Sequence, residues 1–256
     1  MIGDYASNTR HGSIMTYCLA IRCDQGLVFA SDSRTNAGVD HVGTYSKMYV
    51  FEYPGDRVVV LLSAGNLATT QQVVAILKRH ARDPQATESL RTFQHFDELV
   101  GYVGRVSCQV QASSGATAGA MVDTTSTFIL GGQIGNERPD IFLLYPEGNY
   151  IRCSEQMPFL QIGEIKYGKP ILDRNIHRGI TLEDAARTAL VSIDSTMRSN
   201  ISVGPPVELL LYRTDELRVF RHLTFDLDTP FYAAVKEEWQ NALRRALDDL
   251  PRFDWE

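Results

Sequence analysis

The sequence predicts an α+β fold in which two antiparallel sheets stack face to face and each is covered on its outer side by helices. Two observations carry this. Apolar runs of strand length come in three groups, and the first two groups are each followed by a pair of segments with helical apolar spacing. Strands grouped this way bury one face against the other group, and the second face of each sheet then needs a helical layer. No Pro/Gly/Ser-rich linker interrupts the chain, so residues 16–256 are expected to form a single domain.

Residues 1–15 are polar, aperiodic and unlike the text that follows. They read as an extension: a propeptide removed on maturation, a cloning remnant, or sequence upstream of a misplaced start. The last two are favoured, because Met15 followed by the small Thr16 is what a methionine aminopeptidase trims.

From Tyr17 the residues alternate between two faces, turn at Asp24-Gln25-Gly26 and return through Leu27-Val28-Phe29-Ala30, which is a hairpin. Asp32-Ser33-Arg34 closes it. A polar loop over 35–44 leads to a strand over 46–51 that carries Lys47, and Tyr53-Pro54-Gly55-Asp56 turns the chain. The run over 57–64 reads as a strand buried on both faces. After Gly65 the period changes: Asn66 caps a helix with Leu67, Val73, Val74 and Leu77 on one side, ending near Asp83-Pro84. A second helix is expected over 93–110, with Phe96, Leu99, Val100 and Val103 in a stripe.

Strands follow at 126–130, 140–145, 150–154 and 159–162, then a short helix over 167–176. Thr181-Leu182-Glu183-Asp184 opens a longer helix as a capping box with Asp in the fourth place, and Ala185, Ala186, Ala189, Leu190 and Ile193 mark its buried side. A hairpin pairs 207–212 with 217–222. The last element is a C-terminal helix over 231–250, with Phe231, Val235, Trp239, Leu243 and Leu247 near one face.

Composition narrows the function. An apolar fraction of 44% and a charged fraction of 22% allow a core without disulfides or a structural metal. The net charge of -6, with no basic block interleaved with aromatics, argues against nucleic acid. Cys18, Cys23, Cys108 and Cys153 form neither a CxxC pair nor zinc-ligand spacing, and Cys18 and Cys23 point to opposite faces of one strand. They read as reduced thiols of a cytoplasmic protein. No apolar run approaches the ~18 residues that span a bilayer, and the first residues lack a signal-peptide core. Asp226 and Asp228 have no further ligand spacing around them, so neither metal nor cofactor is expected.

The chemistry gathers at Thr16. At a chain terminus this residue carries a hydroxyl nucleophile and its own base, since an α-amine titrates near pH ~7.7–8.0 against ~10.4 for Lys. A hairpin brings Asp32 near Thr16, and Lys47 on the next strand stands beside both. There Lys47, kept charged by Asp32, favours ionisation of the hydroxyl. Gly65, between a buried strand and a helix, can aim its N–H at an oxyanion. Taken singly, each has a plain alternative: a strand-starting Thr, a turn acid, a solvated Lys, a helix-entry Gly. Asp194, at the interior end of an apolar helix, needs a partner unless it lies on the surface.

Thr16-Tyr17-Cys18-Leu19-Ala20-Ile21, Gly26 through Asp32-Ser33-Arg34, Lys47-Met48-Tyr49 and Ser63-Ala64-Gly65 together resemble the proteasome β-subunit superfamily, and within it the bacterial Anbu, or ancestral β subunit, family. The resemblance runs from Met15 to about Tyr212. It implies the αββα sandwich of N-terminal-nucleophile (Ntn) hydrolases and a threonine peptidase acting on peptides or proteins. Thr16 is then the nucleophile, Asp32 and Lys47 its electrostatic partners, Gly65 the oxyanion donor and Asp194 the helix-borne acid near the amine, with Arg34 and Ser195 in support. It also implies a homo-oligomer, ring or open spiral. The chain departs from the family in three places: Met15 replaces the usual Gly, Glu164 or Gly163 stands where a Ser is common, and Met197 stands three residues after the helix Asp where a second Ser is common. Two other functions stay open, a self-assembling scaffold with little peptidase activity and an amidase for a small molecule.

Overall fold

The computed structural model describes residues 16–36, 42–118 and 123–256, so the extension over 1–15 lies outside the described residues. The first hairpin joins β1 (Tyr17–Cys23) to β2 (Gly26–Asp32). The expected polar loop is instead a small hairpin of β3 (Arg34–Asn36) and β4 (Val42–Thr44), held by backbone pairing that its polar side chains do not announce. Lys47 sits just before β5 (Met48–Tyr53), and β6 (Arg57–Gly65) leads into α1 (Leu67–Arg82), whose first turn is capped by the Asn66 side chain.

Helix α2 (Phe96–Ala118) starts three residues later than its apolar stripe suggested and runs well past 110. Past the expected end, Gln111 ties the helix to its surroundings, donating to Pro146 O and accepting from Ser126 N–H. β7 (Ser126–Ile134) also outruns its expected end. Gly131 and Gly132 lie inside this strand, and a Cβ at Gly131 would meet the Phe29 ring at 2.8 Å, so glycine makes room there for an aromatic of the other sheet.

The chain continues through β8 (Asp140–Leu144), β9 (Tyr150–Arg152), β10 (Phe159–Gly163), α3 (Lys169–Asn175), α4 (Leu182–Ser199), β11 (Val207–Arg213), β12 (Val219–Phe225) and α5 (Pro230–Asp248). β12 begins two residues later than expected. Asp215 and Leu217 take left-handed backbone angles, and Gln133 gathers Tyr212 OH and the Asp215 N–H, which widens the turn.

One sheet has the order β10-β1-β2-β11-β12 and the other β5-β6-β7-β8-β9. Three apolar layers explain the stacking. Tyr17, Leu19 and Ile21 of β1 point with Val28, Leu209 and Leu211 to α4. Cys18 and Ala20 point with Phe29, Val60, Leu62, Ile129 and Leu210 to the space between the sheets. Val59, Leu61, Phe128 and Leu130 point to α1 and α2. The order is helix, sheet, sheet, helix. Strand β1 is therefore buried on both faces, and Cys18 and Cys23 fall in different layers as their odd spacing requires.

The C-terminal helix corrects one expectation. Its buried anchor is Tyr232, ring to ring at 5.9 Å from Phe225, whereas Phe231, Leu243 and Leu247 of the expected stripe are exposed. Arg198 of α4 reaches Gln240 of α5, while Leu243 and Leu247 further along the helix stay exposed.

Candidate active site

The end of the β1–β2 hairpin, the residue before β5 and the segment after α4 converge on one carboxylate. Asp32 Oδ1 accepts from Thr16 Oγ1 at 2.5 Å, from the Tyr17 N–H at 3.0 Å and from Lys47 Nζ at 2.7 Å. Its other oxygen accepts from the Gly204 N–H at 3.1 Å. Both partners of the ion pair are withdrawn from water, with side chains 0% and 7% exposed. Lys47 Nζ also donates to Arg34 O at 2.6 Å, which fixes the ammonium from a second side. Four donors thus satisfy the buried carboxylate, and the ammonium beside it is held on two acceptors.

Arg34 also closes the site through its side chain. Its guanidinium donates to Ile201 O at 2.6 Å, while the Ser33 and Arg34 N–H groups both reach Gly204 O. The stretch between α4 and β11 is thereby strapped across Asp32.

Beside this cluster, the Cys18 Sγ donates to Ser63 O at 3.5 Å, and the Ser63 N–H donates to Lys47 O at 3.0 Å. Burial pushes the Cys18 thiol up to about 12, outweighing the pull of Lys47, so it is no rival nucleophile. Two residues past Ser63 is Gly65, in the left-handed region at φ +106, where a Cβ would strike Thr125 O; it opens directly onto the cap of α1.

The comparisons with known proteins agree with this geometry. The family described as proteasome subunit matches residues 14–210. The solved Anbu (ancestral beta-subunit) of Yersinia bercovieri is 40% identical with a TM-score of 0.88, covering 93% of this chain and 100% of that one. The chain belongs to the proteasome subunit family, in its Anbu branch. The helical assembly of the Anbu complex from Pseudomonas aeruginosa is 42% identical with a TM-score of 0.89, covering 93% of this chain and 98% of that one. A proteasome subunit beta of Methanocaldococcus jannaschii is 23% identical over 208 residues, 80% of this chain and 84% of its own length.

Within this Anbu-type site the residues predicted from sequence divide. Thr16, Asp32, Lys47 and Arg34 come together, and β6 meets them at Ser63, two residues before Gly65, through the Ser63 N–H to Lys47 O bond. Asp194 is bound elsewhere: its Oδ2 accepts from Arg198 Nε at 2.9 Å, one helical turn on, and its charge bears on Tyr232 of α5. Ser195, next to it on α4, makes no hydrogen bond to the Thr16 cluster.

Two acids were given no part in the site by the sequence, Glu164 and Glu208. Glu164 continues the β10 pairing opposite Thr16, donating its N–H to Thr16 O at 2.7 Å, and its side chain accepts from Asn200 Nδ2 at 3.1 Å. Glu208 accepts from Ser33 Oγ at 3.3 Å. Burial pushes its carboxyl up, but bonds from His222, Ser46 and Ser33 outweigh this and hold it below the ordinary range. Because Ser33 follows Asp32 and Ser46 precedes Lys47, Glu208 ties together the two segments that carry the ion pair. A charged residue inside the apolar strand Val207-Glu208-Leu209-Leu210 was the sequence signal for it.

Proposed function

We propose that this chain hydrolyses amide bonds of peptides or proteins as a proteasome-type threonine peptidase. Thr16, at the N-terminus of the mature chain, is the nucleophile. The observation that carries the reading is the single oxygen of Asp32 shared by the Thr16 hydroxyl and the Lys47 ammonium. Lys47 and Asp32 orient Oγ1 and lower the cost of its ionisation. The α-amine of Thr16 takes the hydroxyl proton as Oγ1 attacks the carbonyl carbon, and the carbonyl electron pair moves onto oxygen, where the Gly65 N–H receives it. The ammonium returns the proton to the leaving nitrogen as the C–N bond breaks, and water cleaves the resulting ester. No step needs a metal or nucleotide.

The protein works as a cytoplasmic homo-oligomer, ring or spiral. The helical assembly of the Pseudomonas aeruginosa relative supports this, as do the exposed Leu243, Leu247, Phe253 and Trp255. Those same apolar residues favour a second reading, a scaffold with little turnover. Protein beginning at Thr16 and its Thr16→Ala variant, assayed on a panel of fluorogenic peptide amides, separate the two. Turnover lost in the variant with the assembly intact supports the peptidase; equal rates in both sink it.

A further inference from the structure

We infer that Glu164, tethered by Asn200, is the carboxylate that holds the α-amine of Thr16; the inference rests on the peptidase reading above. The argument is one of charge. Glu164 is 6% exposed, and among the described residues no Lys, Arg or His nitrogen lies within 4.0 Å of its carboxylate. A buried carboxylate without a cation is costly, and the side chain that meets this one, Asn200, is a neutral amide. The two cations beside Thr16 are held on other groups. Lys47 is committed to Asp32 and Arg34 O, and the Arg34 guanidinium is tied to Ile201 O. Glu208 is met by His222 and Ser33, while Cys18 and Tyr17 are held neutral by burial. The missing cation is the ammonium that Thr16 carries when it is the first residue.

Position agrees with charge. Thr16 is gripped from two sides, by Asp32 on its hydroxyl and by the Glu164 N–H on its carbonyl. One short segment of chain touches both acids: Asn200 Nδ2 reaches the Glu164 carboxylate, and the Gly204 N–H reaches Asp32. The two carboxylates divide the work. Asp32 serves the hydroxyl through Lys47, and Glu164 serves the amine. When the amine takes the hydroxyl proton, the ammonium forms against a counter-ion already in place, and the proton passes on to the leaving nitrogen. Glu164 exchanges no proton itself, so it is a positioning residue that sets the basicity of the base. This is the task that the resemblance to the family implied for Asp194.

The test reads the amine directly. Protein is released from a cleavable leader so that Thr16 is first. The pH dependence of carbamylation of Thr16 by cyanate, followed by the mass of the N-terminal peptide, then gives the pKa of the amine, because only the neutral amine reacts. An adjacent carboxylate favours the ammonium, so Glu164→Gln lowers that pKa by about 1–3, Glu164→Asp restores most of it, and Asp194→Asn leaves it in place. The acidic limb of kcat/KM moves to lower pH with it, since the base stays neutral further down. If Glu164→Gln does not fold, Asn200→Ala replaces it and gives a smaller fall. An amine pKa unchanged in whichever of these variants folds overturns the inference. Carbamylation is read whether or not peptides are cleaved. A protein that shows the Glu164-dependent pKa but no turnover therefore keeps this inference and loses the peptidase reading, and active protein whose amine ignores Glu164 does the reverse.

Discussion

Asp32 Oδ1 and Lys47 Nζ lie 2.7 Å apart where neither side chain meets appreciable water. Such a pair is of little net value against an apolar substitute but costly to break, because the survivor is a buried, uncompensated charge. Lys47→Ala is therefore expected to lower the unfolding free energy by about 3–5 kcal/mol, seen as a lower urea midpoint at unchanged slope. Lys47→Ala with the wild-type midpoint contradicts a dry pair.

Asp32→Asn keeps the shape and most hydrogen bonds but removes the charge that keeps Lys47 beside the hydroxyl. Turnover is expected to drop by about 10²–10⁴, the range of a positioned acid–base partner, with KM little changed. A fall in affinity alone, measured by full kinetics, would assign Asp32 to substrate binding instead.

Arg34 straps the segment after α4 through its bond to Ile201 O. A charged hydrogen bond of this kind contributes about 1.5–3 kcal/mol. Arg34→Ala is expected to cost that much stability and to raise amide hydrogen exchange at Val203 and Gly204, whose neighbours Asp32 and Arg34 lose a tie. Unchanged exchange there argues against the strap.

Asp194→Asn offers the contrary test. The residue is paired with Arg198 on its own helix and faces α5, so kcat/KM for peptide amides is expected to stay close to wild type. The pair is an i,i+4 contact of a 55% exposed Arg, which limits its contribution to about 0.3–0.5 kcal/mol. A large loss of turnover with normal folding would return Asp194 to the catalytic set.

Stability is expected to fall in alkali. Burial pushes the Cys18 and Cys153 thiols up to about 12 and raises the Tyr17 phenol. For groups whose folded pKa lies above the unfolded value, the stabilisation is complete below the unfolded value and disappears as pH rises toward the folded one. Urea midpoints should hold to about pH 9, the ordinary thiol value, and decline progressively toward 12. A flat midpoint across that window means these groups are not desolvated.

The sequence by itself determined the four layers and the heart of the site. Thr16, Asp32 and Lys47 are joined by a tight hairpin and one short excursion, so local turn chemistry and strand alternation suffice to place them side by side. Helix α4 was legible to its cap, because Thr181 and Asp184 sit three residues apart and the apolar stripe has one period. Tertiary structure alone decided where the other acids of this region sit. Glu164 and Glu208 arrive from strands far along the chain, and Asp194, which has the right residue type on the right helix, is taken by Arg198 one turn away. Side-chain partnership is settled within a few ångströms by which strand lies beside which, and β10 pairing with β1 is a contact between distant segments that no local pattern encodes.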